Sequence, residues 1–455
     1  MIRILAVIAA LAQIAIYTVT AQSPFSFRVV ASGLSMPWEV VWGPDDQLWV
    51  TERTGRRIVR VNPSTGAVSR LVSVDESYDP GESWHEGVLG LALHPGLLKN
   101  TGQDYVYVAY TYDADPGPAL SRKLKVQRYT YDAAKSALIA PVDVITNLPA
   151  HDDHGGGRLV YGPDEKLYLT RGDNGGNWLA NYCMPNHAQD LPTAAQIAAG
   201  DWSTYIGKIL RINLDGSIPP DNPTINGVRS HIYTYGHRNP QGLKFGPTGL
   251  LYASEHGPNS DDELNLIVAG NNYGWPHVAG YRDDRGYVYS NWSQSKGVPC
   301  ASLKFDEFAE VPASVPRQRE SEWKGTFTPP LRTFFTVPAG YDFQKSGGAT
   351  IAAGGLDIYS AANGIADWAT SVLQPGMTMG RVYRVKLSAD GRSAVGPNEE
   401  LFRTANRYRD MAIGRDQRTF YFVTDNNGLG RTTDLSGARV TTFANPGSVL
   451  EFKAN

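Results

Sequence analysis

Residues 42–52 read Trp-Gly-Pro-Asp-Asp-Gln-Leu-Trp-Val-Thr-Glu, and this phrase returns three times along the chain. It recurs as YGPDEKLYLTRGD (Tyr161–Asp173), as FGPTGLLYASE (Phe245–Glu255) and, more loosely, as IGRDQRTFYFVTD (Ile413–Asp425). Each copy places a Gly-Pro-Asp turn or a variant of it between two extended apolar runs, which is the pattern of a β-hairpin. The second strand of each hairpin ends in a polar or charged residue. The sequence therefore predicts repeated hairpins with chemically active side chains at their strand ends.

Composition agrees with an all-β chain. Among 455 residues there are 47 glycines and 29 prolines, and aromatic residues make up 11%. These numbers favour many short strands and turns over long helices. The irregularly spaced repeats predict a six-bladed β-propeller with four-stranded antiparallel blades and long inter-strand insertions. The strand Phe25–Ala31 is expected to close the ring by pairing with Ser448–Phe452, and a β-sandwich of irregular hairpins is the alternative.

The charge balance and the N-terminus restrict the functional class. A net charge of -3, from 42 basic and 45 acidic residues, gives no basic face and predicts no nucleic-acid partner. Residues 1–21 combine a basic start, a short apolar run and a small-residue cleavage site, which predicts a signal peptide. The run is too short for a membrane-spanning helix. We therefore expect residues 22–455 to form one propeller domain in a periplasmic or secreted protein, without membrane insertion.

The chain has two cysteines, Cys183 and Cys300. Export would permit them to form a disulfide bond, but the sequence leaves that pairing open. Neither cysteine belongs to a CxxC pair, so no zinc or haem site is predicted.

A first cluster of candidate site residues precedes the second hairpin. Residues 151–158 read His-Asp-Asp-His-Gly-Gly-Gly-Arg, and the glycines would let the backbone pass close to a bulky group. Asp173, at the end of that hairpin, could orient His154 and stabilise an imidazolium, as a general base requires. A solvated polar loop and an Asx turn at Asp173 are the alternatives.

A second cluster lies between residues 237 and 263. Arg238 and Asn239 offer a forked cation and an amide suited to a pair of quinone-like oxygens. Downstream, the Gly257-Pro258 turn offers backbone carbonyls beside the acidic run at residues 261–263. Calcium prefers such oxygen ligands, and adjacent carboxylates need a compensating cation. A solvated acidic turn is the alternative.

A third cluster is Asn-Arg-Tyr-Arg-Asp at residues 406–410. In an extended strand, Arg407 and Arg409 lie on the same side, an arrangement suited to a multiply anionic ligand. A surface ion pair is the alternative.

Taken together these segments resemble the soluble pyrroloquinoline quinone (PQQ)-dependent glucose dehydrogenase family. The similarity runs from about Leu34 to Phe452. It is carried, in order, by GKILRINLDGS from residue 207, RNPQG from 238, EHGPNSDDELN from 255, NYGWP from 272 and NRYRD from 406. The resemblance implies a six-bladed propeller that binds PQQ and calcium above its central channel and oxidises an aldose at the anomeric carbon.

The resemblance also implies roles for individual residues. His154 is expected to act as the base, supported by Asp173, with Arg238 polarising the quinone oxygen. The remaining implied positions are His85 and Asp153 for substrate; Asn239, Thr350, Arg407 and Arg409, with Arg238, for the quinone; Gly257 and Pro258 for a catalytic calcium; and Asp262, Glu263, Tyr273, Ala279 and Asp283 for a structural calcium.

Three departures from the family pattern bear on these expectations. Thr378 stands where the family has a lysine that contacts the quinone, and Arg171 or Arg381 is a candidate to replace that charge. His85 stands where the family has a glutamine. The loop at residues 344–348 lacks the family's disulfide and substrate-side aromatics.

The expected partners are a sugar substrate, a small electron acceptor or redox protein and, as in the family, a possible second copy of the chain. Two alternatives to a dehydrogenase stay open: a non-catalytic sugar-binding propeller, and a calcium-dependent lactonase-type propeller.

Overall fold

The structure, a computed structural model, describes residues 24–78, 81, 85–115, 117–361, 364–378, 380–428, 440 and 442–455. The predicted signal peptide lies outside these ranges. Two short α-helices, α1 (Ala194–Ala199) and α2 (Phe343–Ser346), and four single-turn 3₁₀ helices are present in them; the 3₁₀ helices are Leu179–Asn181, Trp292–Gln294, Cys300–Ser302 and Glu320–Glu322. In the described ranges, no helix is both long and apolar enough to cross a bilayer.

Strands form most of the regular structure. In chain order they are β1 (Phe25–Ala31), β2 (Pro37–Trp42), β3 (Leu48–Glu52), β4 (Arg57–Val61), β5 (Val68–Ser73), β6 (Val88–Leu93), β7 (Tyr105–Asp113), β8 (Arg122–Asp132), β9 (Ala137–Pro149), β10 (Leu159–Tyr161), β11 (Lys166–Arg171), β12 (Lys208–Asn213), β13 (Thr224–Ile225), β14 (Val228–Arg229), β15 (Ile232–Tyr235), β16 (Pro240–Phe245), β17 (Leu251–Glu255), β18 (Asp262–Ile267), β19 (Tyr289–Ser290), β20 (Arg317–Gln318), β21 (Arg332–Phe334), β22 (Asp357–Tyr359), β23 (Ser371–Gly376), β24 (Gly380–Leu387), β25 (Ala394–Thr404), β26 (Tyr408–Ile413), β27 (Thr419–Thr424) and β28 (Val449–Ala454).

These strands build six four-stranded antiparallel sheets, as predicted. The strand orders are β2-β3-β4-β5, β6-β7-β8-β9, β10-β11-β12-β15, β16-β17-β18-β21, β22-β23-β24-β25 and β26-β27-β28-β1. The first strands of these blades contact their neighbours in a closed ring. Each copy of the repeated phrase forms the first hairpin of its blade, namely β2-β3, β10-β11, β16-β17 and β26-β27. The architecture is a six-bladed propeller, and the sandwich alternative is wrong.

The ring closes through the predicted pairing of the two ends of the chain. Strand β1 lies antiparallel to β28, with Phe25 opposite Ala454 and Phe27 opposite Phe452. Arg28 adds a two-point ion pair to Glu451, with Nε 2.7 Å from Oε1. Because the last blade takes a strand from each terminus, the ring cannot open without breaking that sheet.

The apolar core lies between neighbouring blades. One cluster joins Leu124 of β8 to Leu167 of β11, and another joins Leu373 of β23 to Phe420 of β27, all fully buried. Burial of such side chains contributes about 1.5 to 3 kcal/mol each. The blades are therefore fixed relative to one another by packing, which gives the loops at one end of the channel defined positions.

Charged side chains line the central channel. Arg158 Nη1 lies 2.8 Å from Asp410 Oδ2 and 3.3 Å from Glu39 Oε1. The two carboxylates also accept the backbone N–H groups of Val40 and Leu91, which belong to adjacent first strands. Burial is the main cause that raises the pKa of Glu39 to about 7. This layer ties four blades together beneath the candidate site.

Candidate active site

The centre of the site is a buried pair, His154 and Asp173. His154 Nδ1 lies 2.6 Å from Asp173 Oδ1, and the two side chains are 8% and 0% exposed. Gly172 makes this approach possible, because a Cβ there would lie 1.9 Å from the His154 carbonyl oxygen. Burial opposes ionisation of Asp173, but the charges of His154 and Arg238 lower its pKa overall. An ionised Asp173 accepts the Nδ1–H and leaves Nε2 of His154 as the free basic nitrogen.

Asp173 is held by three further donors. Its Oδ1 accepts from the Gly175 backbone at 2.9 Å. Its Oδ2 accepts from Asn186 Nδ2 at 2.8 Å and from Trp275 Nε1 at 2.6 Å. A carboxylate with this many donors is fixed in position and kept ionised. The sequence pattern indicated Asp173 but no role for Asn186, 13 positions further along the chain, or for Trp275, 102 positions away.

The predicted substrate residues His85 and Asp153 face the free nitrogen of His154. Asp153 Oδ1 lies 3.7 Å from the Nε2 of each imidazole. The loop of His85 packs directly on Gly155, where a Cβ would stand 2.8 Å from the His85 carbonyl. This close approach is what the glycine run at residues 155–157 predicted. The structure therefore brings His85, Asp153 and His154 together.

Arg238 lies on the opposite side of the same space. Its guanidinium is buried between the rings of Trp178 and Trp275, at 5.4 and 5.3 Å from their centroids. Nη1 donates to the His256 carbonyl at 3.3 Å, and Nε has no partner among the described residues. Asn239 beside it is also buried, and its Nδ2 likewise has no partner in the described chain. Two buried donor groups are therefore available to an oxygen-bearing ligand.

A cavity of about 590 Å³ opens next to these groups. Arg407 and Arg409 line it, and both bind Asp425. Oδ2 of Asp425 lies 2.7 Å from Nε of Arg407 and 2.8 Å from Nη2 of Arg409. Although burial raises the pKa of Asp425, the two arginines lower it overall. The ion pairs are buried, so the surface ion-pair alternative is wrong. Two guanidinium groups share one carboxylate, and the excess positive charge faces the cavity.

Arg53 lines the same cavity as a third guanidinium, with Nη1 donating to the Glu86 carbonyl at 3.1 Å. Sequence reasoning did not select it, although it directly follows the second strand of the first hairpin. The two arginines considered as substitutes for the missing lysine lie elsewhere. Arg171 donates to the Gly155 carbonyl at 2.5 Å, and Arg381 pairs with Glu400 at 2.9 Å.

Thr350 and Thr378 meet beside the cavity. Thr378 Oγ1 donates to the Thr350 carbonyl at 3.0 Å, and Thr350 Oγ1 donates to Asp262 Oδ2 at 2.6 Å. Asp262 Oδ1 accepts from the Gly257 backbone at 2.8 Å. Asp262 thus braces the Gly257-Pro258 turn against the segment that carries Thr350.

Residues 34–327 match the family described as Glucose / Sorbosone dehydrogenase. A quinoprotein glucose dehydrogenase B of Acinetobacter calcoaceticus is 42% identical over 440 residues, which cover 94% of this chain and 91% of that one. The chain belongs to the Glucose / Sorbosone dehydrogenase family.

Solved structures agree with this assignment. The PQQ-bound form of an aldose sugar dehydrogenase from Streptomyces coelicolor superposes with a TM-score of 0.63 at 27% identity, covering 94% of this chain and 98% of that one. The apo-form of a soluble aldose sugar dehydrogenase from Escherichia coli has a TM-score of 0.64 at 22% identity, covering 95% and 100%, and supports the fold alone.

The residues of this site fit a planar, multiply anionic quinone. Three arginines line the cavity, and the unpartnered groups of Arg238 and Asn239 lie beside it. Guanidinium groups bind carboxylates through paired hydrogen bonds, and buried donors without partners favour a ligand that supplies acceptors. Thr378 offers only a hydroxyl, and this hydroxyl already donates a hydrogen bond to the Thr350 carbonyl.

The catalytic calcium expected at Gly257 and Pro258 has suitable oxygens. Neither carbonyl accepts a hydrogen bond from a described residue, and backbone carbonyls are ordinary calcium ligands. Within the described part of the chain, no group of three or more His, Cys, Asp or Glu side chains is arranged to hold a metal ion. An ion at this turn would therefore be coordinated by backbone carbonyls and by the bound cofactor.

The residues predicted for a structural calcium are divided between two faces. Asp262 faces the Gly257 turn, whose backbone N–H it accepts at 2.8 Å, and neighbouring residues in a strand point to opposite sides. Glu263 faces the other way, where its Oε1 accepts from Gly280 N at 2.7 Å. Asp261 lies against the same glycine.

Glu320, which sequence reasoning missed, holds the loop that contains the predicted ligands Ala279 and Asp283. It accepts their backbone N–H groups at 3.0 and 3.2 Å. Tyr273, also expected there, donates instead to the Leu266 carbonyl at 2.6 Å.

Aromatic side chains form a second wall beside Arg238. Trp178, Trp275, Tyr287 and Trp292 line a cavity of about 390 Å³. The disulfide bond between Cys183 and Cys300 joins the two loops that carry Trp178 and Trp292. The two cysteines, whose pairing the sequence left open, are therefore bonded. The aromatic side chains of this wall come from loops other than residues 344–348.

Proposed function

We propose that the protein is an exported quinoprotein that oxidises an aldose, glucose or a related sugar, at the anomeric carbon to its lactone. The cofactors are PQQ and Ca²⁺, and an external acceptor receives the electrons. The observation that carries the proposal is the His154–Asp173 pair, whose Nε2 faces Asp153 and which packs against His85 on the wall of an arginine-lined cavity. The names of the relatives, a quinoprotein glucose dehydrogenase and aldose sugar dehydrogenases, agree with it.

The base and its support follow from the geometry of the pair. His154 accepts the proton of the anomeric hydroxyl at Nε2, and Asp173 stabilises the resulting imidazolium through Nδ1. Asp173 remains ionised because its donors stabilise the anion. General-base action of this kind contributes about 10² to 10⁴ in rate.

The remaining residues bind and orient the reactants. Asp153 and His85 hold sugar hydroxyls against His154. Arg238 and Asn239 place donors at the oxygen where negative charge develops, in a buried setting that strengthens their effect. PQQ, when bound, supplies the hydride acceptor, and a calcium on the carbonyls of Gly257 and Pro258 supplies a Lewis acid.

Arg407, Arg409 and Arg53 hold the carboxylates of the quinone, and Thr350 contacts it. A structural calcium is proposed at the loop with Glu263, Ala279 and Asp283. Tyr273 and Asp262, which were expected to join this set, contact other groups. Asp261 and Glu320, both buried beside that loop, are added to it.

The cellular context is part of the same proposal. Residues 1–21 act as a signal peptide, and residues 22–455 form one catalytic domain in the periplasm or outside the cell. The Cys183–Cys300 bond is consistent with an oxidising compartment. A small molecule or redox protein accepts the electrons, and a homodimer is possible through the structural-calcium region.

One titration tests the proposal. Purified apo-protein is mixed with PQQ and Ca²⁺, aldoses are added, and the quinone spectrum and dye reduction are followed. Binding followed by reduction is expected. Failure to bind PQQ would exclude the dehydrogenase and leave a lactonase-type propeller, which lactone hydrolysis would reveal. Binding of PQQ without reduction by any sugar would indicate a non-catalytic sugar-binding propeller.

A further inference from the structure

The proton that His154 accepts must leave the site again, and the surroundings of His154 restrict its route. On the Nδ1 side stands Asp173, which is 0% exposed and binds Gly175, Asn186 and Trp275 besides His154. Interactions with His154 and Arg238 keep the pKa of Asp173 lowered despite its burial. A buried carboxylate surrounded by donors neither accepts a proton readily nor passes it to water. The proton therefore leaves from Nε2.

The Nε2 side offers a carboxylate placed between two imidazoles. Asp153 Oδ1 lies 3.7 Å from Nε2 of His154 and 3.7 Å from Nε2 of His85. The His154 backbone N–H donates to the same oxygen at 2.9 Å, which fixes it between the rings. The rings are nearly perpendicular, with centroids 6.2 Å apart. Each gap exceeds a hydrogen bond by about 0.8 Å, so a small rotation of Asp153 or one water closes it.

His85 also lines the cavity of about 590 Å³. Its Nδ1 is buried and has no partner among the described residues, so Nε2 is the nitrogen that exchanges a proton. Its imidazole can therefore accept a proton at Nε2 and release it from the same nitrogen toward the cavity.

We propose that Asp153 and His85 form the exit route for the proton taken up by His154. This inference rests on the proposed function, in which His154 is the base. In the first step the Nε2–H bond of the His154 imidazolium breaks and an O–H bond forms on Asp153. In the second step the O–H bond breaks and the proton moves to Nε2 of His85, from which it passes to water or buffer in the cavity. No electrons move in either step.

The pKa shifts of His85 and Asp153 agree with transfer of the proton rather than with its retention on His85. Burial lowers the pKa of His85 well below its ordinary value, and only the Asp153 carboxylate acts against that shift. The other charged or titratable groups that face His85 are His154, Arg409 and His256, and all three disfavour a second positive charge. For Asp153, burial opposes ionisation, but His154, His85 and Arg238 lower its pKa overall. The carboxylate is thus an anion ready to accept, and His85 does not retain the proton.

His85→Gln tests the route, because an amide can hold a sugar hydroxyl but cannot relay a proton. His187→Gln is the matched control, since His187 is an exposed residue paired with Asp190. In the PQQ- and Ca²⁺-loaded enzyme, H85Q should lower steady-state turnover in dilute buffer by about tenfold or more. Concentrated imidazole buffer should restore turnover, whereas the Michaelis constant for the sugar and anaerobic single-turnover reduction should change little. A loss that imidazole does not restore, or a rise in the Michaelis constant alone, would show that His85 only binds sugar.

A second measurement needs neither cofactor nor activity. Nitrogen-15 NMR of the histidine side chains in the apo-protein should show neutral His85 with its proton on Nδ1, because the route needs Nε2 free to accept a proton. A neutral His85 with its proton on Nε2 would overturn the route. If PQQ does not bind to the wild type, the proposed function fails, while this NMR measurement still decides whether His85 can accept a proton at Nε2.

Discussion

Nδ1 of His154 and Oδ1 of Asp173 lie 2.6 Å apart, although the two residues leave different strands of one blade. Asp173 follows β11, and His154 precedes β10, so the antiparallel hairpin returns both residues to the same end of the channel. The pairing fixes the tautomer of His154 and directs Nε2 into the space between Asp153 and Arg238. The catalytic part of the site is therefore a consequence of strand direction.

Replacing His154 by Ala should lower turnover by about 100-fold or more, because a positioned general base is lost. Quinone affinity should remain nearly intact, since the arginines that bind the quinone lie on other blades. Steady-state kinetics and a spectroscopic PQQ titration measure the two effects, with His187→Ala as the control. Unchanged turnover in H154A would show that another group is the base.

Replacing Arg407 by Met should weaken PQQ binding by about tenfold to 100-fold, the scale of a charge-assisted hydrogen bond. Arg381→Met is a suitable control, because Arg381 pairs with Glu400 on the surface of its blade rather than lining the cavity. Equilibrium titration of the apo-proteins with PQQ measures both. Equal affinities in the two variants would place the quinone elsewhere.

Removal of calcium with a chelator should abolish sugar oxidation and lower the melting temperature, because the proposal places one ion at the reaction centre and one in a buried acidic loop. Adding Ca²⁺ back should restore both properties. Dye reduction reports on the ion at the reaction centre, and thermal unfolding reports on the ion in the acidic loop. Full activity after complete removal of calcium, confirmed by elemental analysis, would contradict the catalytic ion.

Loss of the Cys183–Cys300 bond should destabilise the protein by about 2 to 4 kcal/mol, because the bond joins residues 117 positions apart. Denaturant unfolding of the double variant C183S/C300S against the wild type measures this difference. The reduced wild type serves as the control and should match the double variant. No change in stability would mean that the aromatic wall holds its loops without the bond.

Lys208 gives a prediction about pH. It is buried, and Nζ donates to the carbonyls of His187, Ala188 and Ile206 at 3.2, 2.9 and 2.6 Å. Burial lowers its pKa from 10.5 to about 7. Between these pH values the unfolded chain binds a proton that the folded chain has released, so folding becomes more favourable as pH rises.

Comparison with Lys208→Met isolates this effect, because Met keeps the length of the side chain without the charge. Denaturant unfolding at pH 7.5 and 9 should show the wild type gaining about 1 to 2 kcal/mol relative to K208M, at up to about 1.4 kcal/mol per pH unit. The same pH dependence in both proteins would show that Lys208 stays charged on its three carbonyls.

Much of the site was predictable because it follows from local pattern. The second hairpin repeat placed Asp173 at a strand end, and the i, i+2 spacing of Arg407 and Arg409 placed both on one side of the chain where β26 begins. Asp262 was grouped with Glu263 because the two residues are adjacent in the chain. In strand β18, alternation places their side chains on opposite faces.

By itself, the sequence determined the blades and the closing strand, because these depend on turn chemistry and two-residue periodicity over short stretches. It also predicted that Asp173 orients His154, and the structure brings the two side chains together. The role of His154 as the base stays a prediction. Only the tertiary structure decided which distant groups complete them. Asn186 and Trp275 reach Asp173, Arg53 joins Arg407 and Arg409, and Cys183 meets Cys300. The physical reason is that the inter-blade packing sets which loops meet above the channel. Apart from Asn186, which is 13 positions from Asp173, these groups are more than a hundred positions apart, and no local pattern can bring them together.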